Sequence, residues 1–528
     1  MKQKVYLFLI TGCFFSLGLR AQKMNFGPII EGKGYGSENI VGKYDTGFFV
    51  IRCQGYQSSE VNINFKPKIE KIDFSCNSVF MKEIIVYDSG TDKKEMQYDT
   101  ICGLKDNMIC IMYNRSFDKA YGIKISKSGI PDNTHFFIGS VANTAIHEIG
   151  IGKSLPDYRY NFCISTDSAS LLAYYYKEDD PNVHCIAFDE NMNRLWVKDL
   201  KVPMEGKEMM FGQCAYNGSE VVFMVNIKKT KTEKPTFAIF MYDHKSDSTS
   251  FERLEVHSAK KNIFTGPTFS KAVNSNGDVV FATVCTKDEE TDDPFGIFYV
   301  RIDKNATHIS QKQEVAFSSE YLKEYQAYKQ KYGRNWVEMS NLILTSDKRI
   351  FFGAEEMGAD RQTLNVAYTI FYYNDAVIGS ILKNGTMDWV VRIPKRQKQA
   401  LNSFTEPPAY SYTMDITDNK IVLTYNNNSH NMKTGIDEEL KDENVLKPAK
   451  YIGFMRDSWN MCLITMDFSG NSIKKYWLNE KEDKPLLYLP NFAHFQLNNN
   501  QFVLFRMETH NGFASPKVRT QFSDLTIE

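Results

Sequence analysis

The chain is predicted to fold as a β-propeller of four-stranded antiparallel blades, because two kinds of turn alternate strictly along its 528 residues. In the first kind, a polar turn is followed at once by an apolar strand, at Asp45, Asp106, Asp167, Asn217, Asn276, Asp347, Asp418 and Asn499. The second kind joins two strands through a Gly/Asn-containing turn, at Asp73, Ser126, Asp189, Asp243, Asp303, Lys383 and Asp467. Such alternation is typical of a ring of repeated blades.

Each blade is predicted as strand, Asp/Asn turn, strand, loop, strand, second turn, strand. Blade three illustrates the order with strands over 161–166, 171–176, 184–188 and 194–199. Gly and Asn suit hairpin turns because they accept a positive φ, and Asp bonds its own backbone.

The turn count predicts how the ring closes. Eight turns of the first kind against seven of the second leave the last blade one strand short. Residues 493–497, 501–507 and 517–522 supply three strands of an eighth blade, and 24–31 supply the fourth. This closure removes exposed sheet edges. Eight blades are therefore favoured, with seven blades or an open array of β sandwiches as the alternatives.

The N-terminus is typical of a secretory signal peptide over residues 1–21. Lys2 and Lys4 precede an apolar run over 5–19, which is too short to span a bilayer. Residues 22–528 are then one exported propeller domain, in the periplasm or at the cell surface or secreted. An alternative is cleavage before Cys13, which would leave a lipid anchor.

The amino-acid composition excludes several classes of partner and cofactor. Without Lys2, Lys4 and Arg20, 60 basic residues stand against 64 acidic ones, a net charge of −4. We expect no nucleic-acid partner for such a surface. The mean hydropathy of −0.39 argues against a multispanning membrane protein. Cysteines show no CxxC spacing, so neither a zinc site nor a dense disulfide framework is expected, and no metal or cofactor is predicted.

One segment carries a family resemblance. Residues 376–397 read AVIGSILKNGTMDWVVRIPKRQ, an apolar strand, a Lys-x-x-Gly turn and a Trp-bearing strand. The segment resembles exported β-propeller-repeat proteins of the Bacteroidota, and Trp196 shares the position of Trp389. The resemblance implies a propeller and export. No activity is attached to that family, so it implies no catalytic residue.

The spacing of the turns predicts one elaborated face. Successive turns of the first kind lie 61, 61, 50, 59, 71, 71 and 81 residues apart, whereas a bare blade needs roughly 40 to 45 residues. The additional residues lie in insertions at 318–336, 356–367, 394–410 and 426–460. All belong to connections opposite the short turns, around blades five to seven, where recognition loops are commonly built. Alternatively they only cap the sheet ends.

The first insertion is predicted to contain a helix near 318–333. An aromatic stripe recurs at steps of three and four residues: Tyr321, Tyr325, Tyr328, Tyr332 and Trp336. This stripe is expected to pack against the rim of blades five and six. A platform for a sugar or peptide is the second interpretation.

Two charged clusters are candidate binding groups. Arg392, Lys395, Arg396 and Lys398 surround Pro394 and could clamp a carboxylate or phosphate. The alternative is a solvated loop with local salt bridges, for example to Glu406. The acidic run over 288–293 lacks the spacing of a calcium loop.

Catalytic signatures are absent from the sequence: it has no GxSxG, no HExxH and no phosphate loop. The favoured hypothesis is a non-catalytic binding scaffold of the cell envelope that engages a protein, peptide or glycan. The alternative is a propeller hydrolase or lyase that acts on an extracellular polymer. That activity would require paired carboxylates, or His with a carboxylate, in the channel or on the insertion face.

Overall fold

A computed structural model describes most of the chain between residues 22 and 527. The described part excludes the following segments: 34, 45, 55–66, 85–95, 115–117, 142–158, 178–179, 204–207, 229–235, 257–268, 288–292, 333–334, 364–366, 402–410, 434–435, 442–445, 448, 453–454, 457–458, 479–486, 489–493 and 511–516. The predicted signal peptide over 1–21 also lies outside the described residues.

The described strands form eight antiparallel blades in a ring, and the predicted fold class is confirmed. In each blade, consecutive strands pair with one another from the central channel outward. The described part of the chain begins with β1 (Gln22–Phe26) and β2 (Ile30–Lys33). Blades one to four then follow as β3 (Tyr35–Tyr44), β4 (Gly47–Gln54), β5 (Lys68–Ile72), β6 (Ser78–Glu83); β7 (Gln97–Gly103), β8 (Asn107–Tyr113), β9 (Lys119–Ser126), β10 (Pro131–Ser140); β11 (Asn161–Ile164), β12 (Ser170–Tyr176), β13 (Asn182–Asp189), β14 (Arg194–Lys201); and β15 (Glu208–Tyr216), β16 (Glu220–Lys228), β17 (Thr236–Asp243), β18 (Ser248–Leu254).

Blades five to eight carry the longer connections. Blade five is β19 (Ser270–Val273), β20 (Val279–Thr286), β21 (Pro294–Ile302) and β22 (Gln311–Ala316), followed by helix α1 (Ser319–Tyr332). Blade six is β23 (Asn335–Leu344), β24 (Ile350–Thr363), β25 (Ala367–Ile381) and β26 (Met387–Ile393), followed by β27 (Gln397–Leu401). Blade seven is β28 (Tyr412–Ile416), β29 (Lys420–Asn428), β32 (Trp459–Asp467) and β33 (Ile473–Trp477). The insertion between β29 and β32 consists of a 3-10 helix (Ser429–Lys433), α2 (Ile436–Lys441), β30 (Ala449–Ile452) and β31 (Met455–Arg456). Blade eight contains β34 (Leu487–Tyr488), β35 (His494–Asn498), β36 (Gln501–His510) and β37 (Lys517–Ile527).

The two chain ends close the ring together. β1 and β2 both pair antiparallel with β37, in registers that join Gln22 to Ile527 and Ile30 to Thr520. Between them, the amide of Gly27 donates to the carbonyl of Phe522 at 2.9 Å. The predicted fourth strand from residues 24–31 is thus confirmed, and the seven-bladed and open-sandwich alternatives are wrong.

Gly27 is needed at this closure because the chain passes close to blade one. A Cβ at this position would lie 2.4 Å from the carbonyl oxygen of Cys76. The side-chain amide of Gln521 donates to the carbonyl of Gly27 at 2.7 Å. The closing segment is therefore hydrogen-bonded within blade eight and lies close against blade one.

The fifteen predicted turns all fall between the first and second or the third and fourth strands of a blade. We call this side the plain rim. Neighbouring blades are joined here by backbone hydrogen bonds, such as Lys105 N–H to Ser168 O at 2.8 Å and Thr166 N–H to Tyr216 O at 3.2 Å. The turns therefore fix each blade against the next.

Asp189 shows how an Asp turn is stabilised, and it provides a first test. Its Oδ1 accepts the amides of Asn191 and Asn193, each at 2.8 Å. Asp189→Ala removes both acceptor contacts and should lower the free energy of unfolding by about 1–2 kcal/mol. Urea denaturation measures the change. Asp189→Asn keeps an acceptor oxygen and should lose less, so an equal loss in both variants would contradict this interpretation of the turn.

The hydrophobic core lies between the faces of adjacent blades. Phe223 of blade four packs edge-on against Tyr174 of blade three, with ring centroids 5.1 Å apart. On the outer strand of blade six, the indole N–H of Trp389 donates to the carbonyl of Phe468 in blade seven at 2.8 Å. Trp196 of blade three packs edge-on against Tyr242 of blade four, with ring centroids 5.7 Å apart. The two tryptophans thus attach an outer strand to the next blade.

Candidate functional site

The described parts of the four predicted insertions lie on the rim opposite the short turns, which we call the insertion face. α1 joins blade five to blade six, and residues 356–367 include the outer ends of the β24–β25 hairpin. Residues 394–401 lead from β26 into β27. The fourth insertion, residues 426–460, contains the 3-10 helix, α2, β30 and β31, whereas 402–410 lie outside the described residues.

Three of these insertions share one continuous sheet. β27 pairs antiparallel with the first part of β25, over Thr369–Tyr373. β30 pairs parallel with β27, and β31 pairs with β30. The hairpin of blade six, the connection to blade seven and the insertion of blade seven therefore form a single insertion sheet that extends blade six.

A β-bulge marks where blade six becomes the insertion sheet. The β24–β25 register changes between the pairs Glu355–Ala376 and Met357–Tyr373, so that Glu356 faces two residues of β25. Glu355, Glu356 and Asp375 are all at most 3% exposed. Three buried carboxylates at one irregular position require compensating positive charge.

Arg392 compensates the carboxylates on the side of the sheet that faces blade five. Its guanidinium lies 2.7 Å from an Asp375 carboxylate oxygen and 3.2 Å from a Glu356 oxygen. The Tyr321 hydroxyl of α1 lies 3.5 Å from the other Glu356 oxygen. Burial, reinforced by the Glu356 charge, holds the pKa of Tyr321 well above its usual value. Tyr321 is therefore a neutral partner in the hydrogen-bond network that joins α1 to blade six.

Lys395 compensates Glu355 on the side that faces blade seven. Its ammonium pairs with Glu355 and donates to Gln397 Oε1 at 3.0 Å, and its backbone amide donates to Asp375 at 3.0 Å. Burial lowers the pKa of Lys395, although the Glu355 carboxylate opposes that effect. Lys395 is only 1% exposed, so its charge neutralises a buried carboxylate and is not available to a ligand at the surface.

Gln397 extends this hydrogen-bond network into blade seven. Its side-chain amide donates to the carbonyl of Asn426 at 2.8 Å, and its Oε1 accepts the amide of Ser411 at 2.9 Å. The Tyr412 hydroxyl donates to the carbonyl of Ala354 at 3.1 Å. Blades six and seven are thus connected through buried polar groups directly beneath the insertion sheet.

The predicted helix is confirmed as α1, and Tyr321 and Tyr325 of its aromatic stripe are turned inward. Tyr321 and Tyr325 are 3% and 0% exposed and belong to the core between blades five and six. Lys329 and Gln326 of the same helix bind Asp293, at the start of β21 in blade five. The helix is therefore packed onto the ring, as the first of the two interpretations expected.

The structure places the remaining predicted site residues at different depths. Trp336 is half-buried at the start of β23, Arg396 is half-buried between β26 and β27, and Arg392 is mostly covered. Tyr328 belongs to α1, but its side chain lies outside the described residues. Lys398 is half-buried, with its ammonium 4.8 Å from the Tyr372 ring centroid.

Two expectations from the sequence need correction. The segment around Pro394 is not a solvated loop: its Arg392 and Lys395 pair with buried carboxylates of β24 and β25, because β26 and β27 pair in succession with the same strand. Since Lys395 and the stripe residues Tyr321 and Tyr325 are buried, they are not part of a surface clamp or platform. Glu406, the suggested partner, lies outside the described residues.

The insertion of blade seven has its own buried polar core. Glu439 of α2 is buried and pairs with Lys475 of β33; burial raises the pKa of Glu439, against the effect of Lys475. Asn431 donates to the carbonyl of Lys447 at 2.8 Å and accepts the Lys447 amide at 2.9 Å. These contacts hold the 3-10 helix and α2 against the ring.

The described residues do not form a metal site or an evident catalytic group in the channel. Within the described residues, no three His, Cys, Asp or Glu side chains form a group that could hold a metal ion. The acidic run over 288–292 lies outside the described segments. His184 and Asp199 are paired at 2.6 Å, but they lie on β13 and β14, away from the inner strand that lines the channel. No helix in the described segments is long and apolar enough to cross a membrane.

Sequence reasoning missed the three buried carboxylates. Glu355, Glu356 and Asp375 stand in the strings GAEEMG and YYNDAV, each attached to an apolar strand. A charged pair that continues an apolar strand, followed by a basic segment such as RIPKR, is the available signal. The sequence alone does not show that a bulge brings them together.

Comparison with known proteins adds no functional assignment. No protein-family model and no curated protein matches this chain. Among solved structures, the polysaccharide lyase Uly1 is 9% identical, with 96% of this chain and 100% of that chain covered and a TM-score of 0.40. An oligogalacturonate lyase in complex with manganese is 10% identical, with coverages of 76% and 94% and a TM-score of 0.34. The β-propeller domain of the Trilobed protease from Pyrococcus furiosus is 9% identical, with coverages of 72% and 98% and a TM-score of 0.32. None of these similarities is strong enough to carry a function to this chain.

Proposed function

We propose that this protein is a non-catalytic binding scaffold whose insertion face, over blades five to seven, engages a protein, peptide or glycan. The observation that carries the proposal is the insertion sheet, which is continuous with blade six and fixed to it by the buried ion pairs of Arg392 and Lys395. A recognition surface that is held rigidly loses little conformational entropy when it binds.

The exposed side chains of this face favour a polar partner. Lys323 of α1, Lys433 of the 3-10 helix, and Asp437 and Glu438 of α2 are all exposed. Charges of both signs lie beside an exposed Met432. Mixed polar and apolar chemistry suits a peptide or glycan better than the uniformly negative backbone of a nucleic acid.

Charge reversal on the insertion face tests the proposal. The double variant Lys323→Glu/Lys433→Glu changes exposed side chains that make no buried ion pair. Binding to a glycan array and a peptide library would be measured first with the unmodified chain, and Kd values determined for the ligands found. We expect the variant to weaken Kd by about tenfold or more, because rim charges steer and orient a polar ligand.

The matched control reverses two exposed lysines on the plain rim, as Lys245→Glu/Lys383→Glu. This double variant has the same net charge as the first and should bind as the unmodified chain does. Equal weakening in both variants, or no weakening in either, would contradict a binding site on the insertion face. Release of cleaved product from a bound glycan or peptide would instead favour the hydrolase or lyase hypothesis.

Export is proposed on the N-terminal sequence and on the resemblance of residues 376–397 to exported propeller-repeat proteins of the Bacteroidota. Expressed with its leader in a Gram-negative host, the chain should be recovered outside the cytoplasm with Gln22 as its first residue, as measured by mass spectrometry of the N-terminal peptide. An acylated Cys13 at the N-terminus would support the lipid-anchor alternative. An intact leader on a cytoplasmic protein would contradict export.

A further inference from the structure

Three cysteines occupy corresponding positions on the inner strands of consecutive blades. Cys102 lies on β7, Cys163 on β11 and Cys214 on β15, and each pairs with an apolar residue of the second strand: Ile109, Leu172 and Phe223. Their sequence separations of 61 and 51 residues match the spacing of the blade turns. The propeller repeat therefore brings these thiols to neighbouring places along the channel wall.

Cys163 and Cys214 are in direct contact across the interface between blades three and four. The Cys163 thiol donates to the carbonyl of Cys214 at 3.3 Å. The same carbonyl accepts the ammonium of Lys271 from the inner strand of blade five. Two sulfur atoms and one cation thus meet where three blades converge.

The electrostatic environment distinguishes these two thiols. The neighbouring Cys214 lowers the pKa of Cys163 against the effect of burial, and the Lys271 charge lowers it further. Burial raises the pKa of Cys214 well above its usual value. Cys163 is therefore the better nucleophile, and Cys214 is positioned to react second.

We propose that Cys163 and Cys214 are an oxidisable pair that forms a disulfide between blades three and four. With hydrogen peroxide as oxidant, the Cys163 thiolate attacks one peroxide oxygen; the O–O bond breaks, and hydroxide leaves and is protonated to water. The resulting sulfenic acid is attacked by the Cys214 sulfur, the S–O bond breaks, and a second water leaves. Two thiols and one peroxide thus give one disulfide and two waters.

A slight solvent exposure separates this pair from the deeper thiols. Cys163 and Cys214 are 8% and 5% exposed, whereas Cys110, Cys285 and Cys462 are fully buried. Burial raises the pKa of Cys285 and of Cys462 to about 12. A small oxidant should consequently react at Cys163 before it reacts at these sites.

Peptide mapping of the unmodified full-length chain tests the proposal. The reduced protein is treated with hydrogen peroxide, blocked with iodoacetamide and digested with trypsin without reduction. We expect a cross-linked product of residues 160–177 and 208–228, the tryptic peptides that carry Cys163 and Cys214, lighter by two hydrogen atoms than the separate peptides. Reduction should separate them.

Cys102 provides the matched control. Cys102→Ser should leave the cross-link unchanged, whereas Cys163→Ser should abolish it and leave Cys214 alkylated. Absence of the cross-link in the folded unmodified chain, or a predominant bond between Cys163 and Cys102, would overturn the proposal. Because this result comes from the unmodified chain, it does not depend on whether the variants fold.

Discussion

Replacing Lys395 with methionine should lower the free energy of unfolding by about 3–5 kcal/mol, because it leaves a buried carboxylate without its partner. Lys395 is 1% exposed and its partner Glu355 is 3% exposed, so solvent cannot replace the lost charge. Chemical denaturation followed by tryptophan fluorescence measures this loss.

The double variant Lys395→Met/Glu355→Leu is the matched control. It removes both charges together, and apolar replacements of a buried pair are often neutral or stabilising. We expect it to recover most of the stability lost in Lys395→Met. The single variants Lys395→Met and Glu355→Leu are measured beside it. If the double variant loses as much stability as the two single losses added together, the ion pair is not the reason for the loss.

Removing residues 22–33 should destabilise the whole ring. These residues pair with β37 at five positions in β1 and four in β2. Their loss opens blade eight and should cost on the order of 5 kcal/mol, at roughly 0.5–1.5 kcal/mol for each lost hydrogen bond. Thermal unfolding of residues 22–528 and of residues 34–528 measures the effect.

A synthetic peptide of residues 22–33, added to the truncated chain, should bind and restore part of the lost stability. A scrambled peptide with the same composition is the control. If the truncated chain unfolds at the same temperature as residues 22–528, the terminal strands do not close the ring. Equal rescue by both peptides would show that the effect is not specific to the β37 register.

The architecture was predictable because a propeller repeats its local chemistry. Each Asp or Asn turn is a short-range signal, as the two amides bound by Asp189 show, and the alternation of two turn types specifies four strands in each blade. The missing strand could be inferred from the unequal turn counts. The pairing of β27 with both β25 and β30 could not, since it depends on contacts between segments far apart in sequence.

The candidate site was predicted only in part, for a related reason. Its place on the insertion face follows from the lengths of the connections. The environment of its residues could not be predicted, because the sequence RIPKR is compatible both with charges that face water and with charges that pair with buried carboxylates. Arg392 and Lys395 instead pair with the buried carboxylates at the bulge, because β26 and β27 both pair with β25. Similarly, the helical spacing of Tyr321 and Tyr325 predicted a common face but left two interpretations of what covers it.

The most direct test of an eight-bladed ring closed by both chain ends is cross-linking between β1 and β37. Met24 and Leu525 are register partners that share one apolar cluster, which includes no cysteine among its described members. In Met24→Cys/Leu525→Cys, mild oxidation should give an intramolecular disulfide in nearly all molecules, because directly paired strand residues lie about 4.5–5.5 Å apart. The control Met24→Cys/Gln521→Cys, four residues out of register, should remain reduced. Cross-linking of the control but not of the paired variant, or of neither, would contradict this closure.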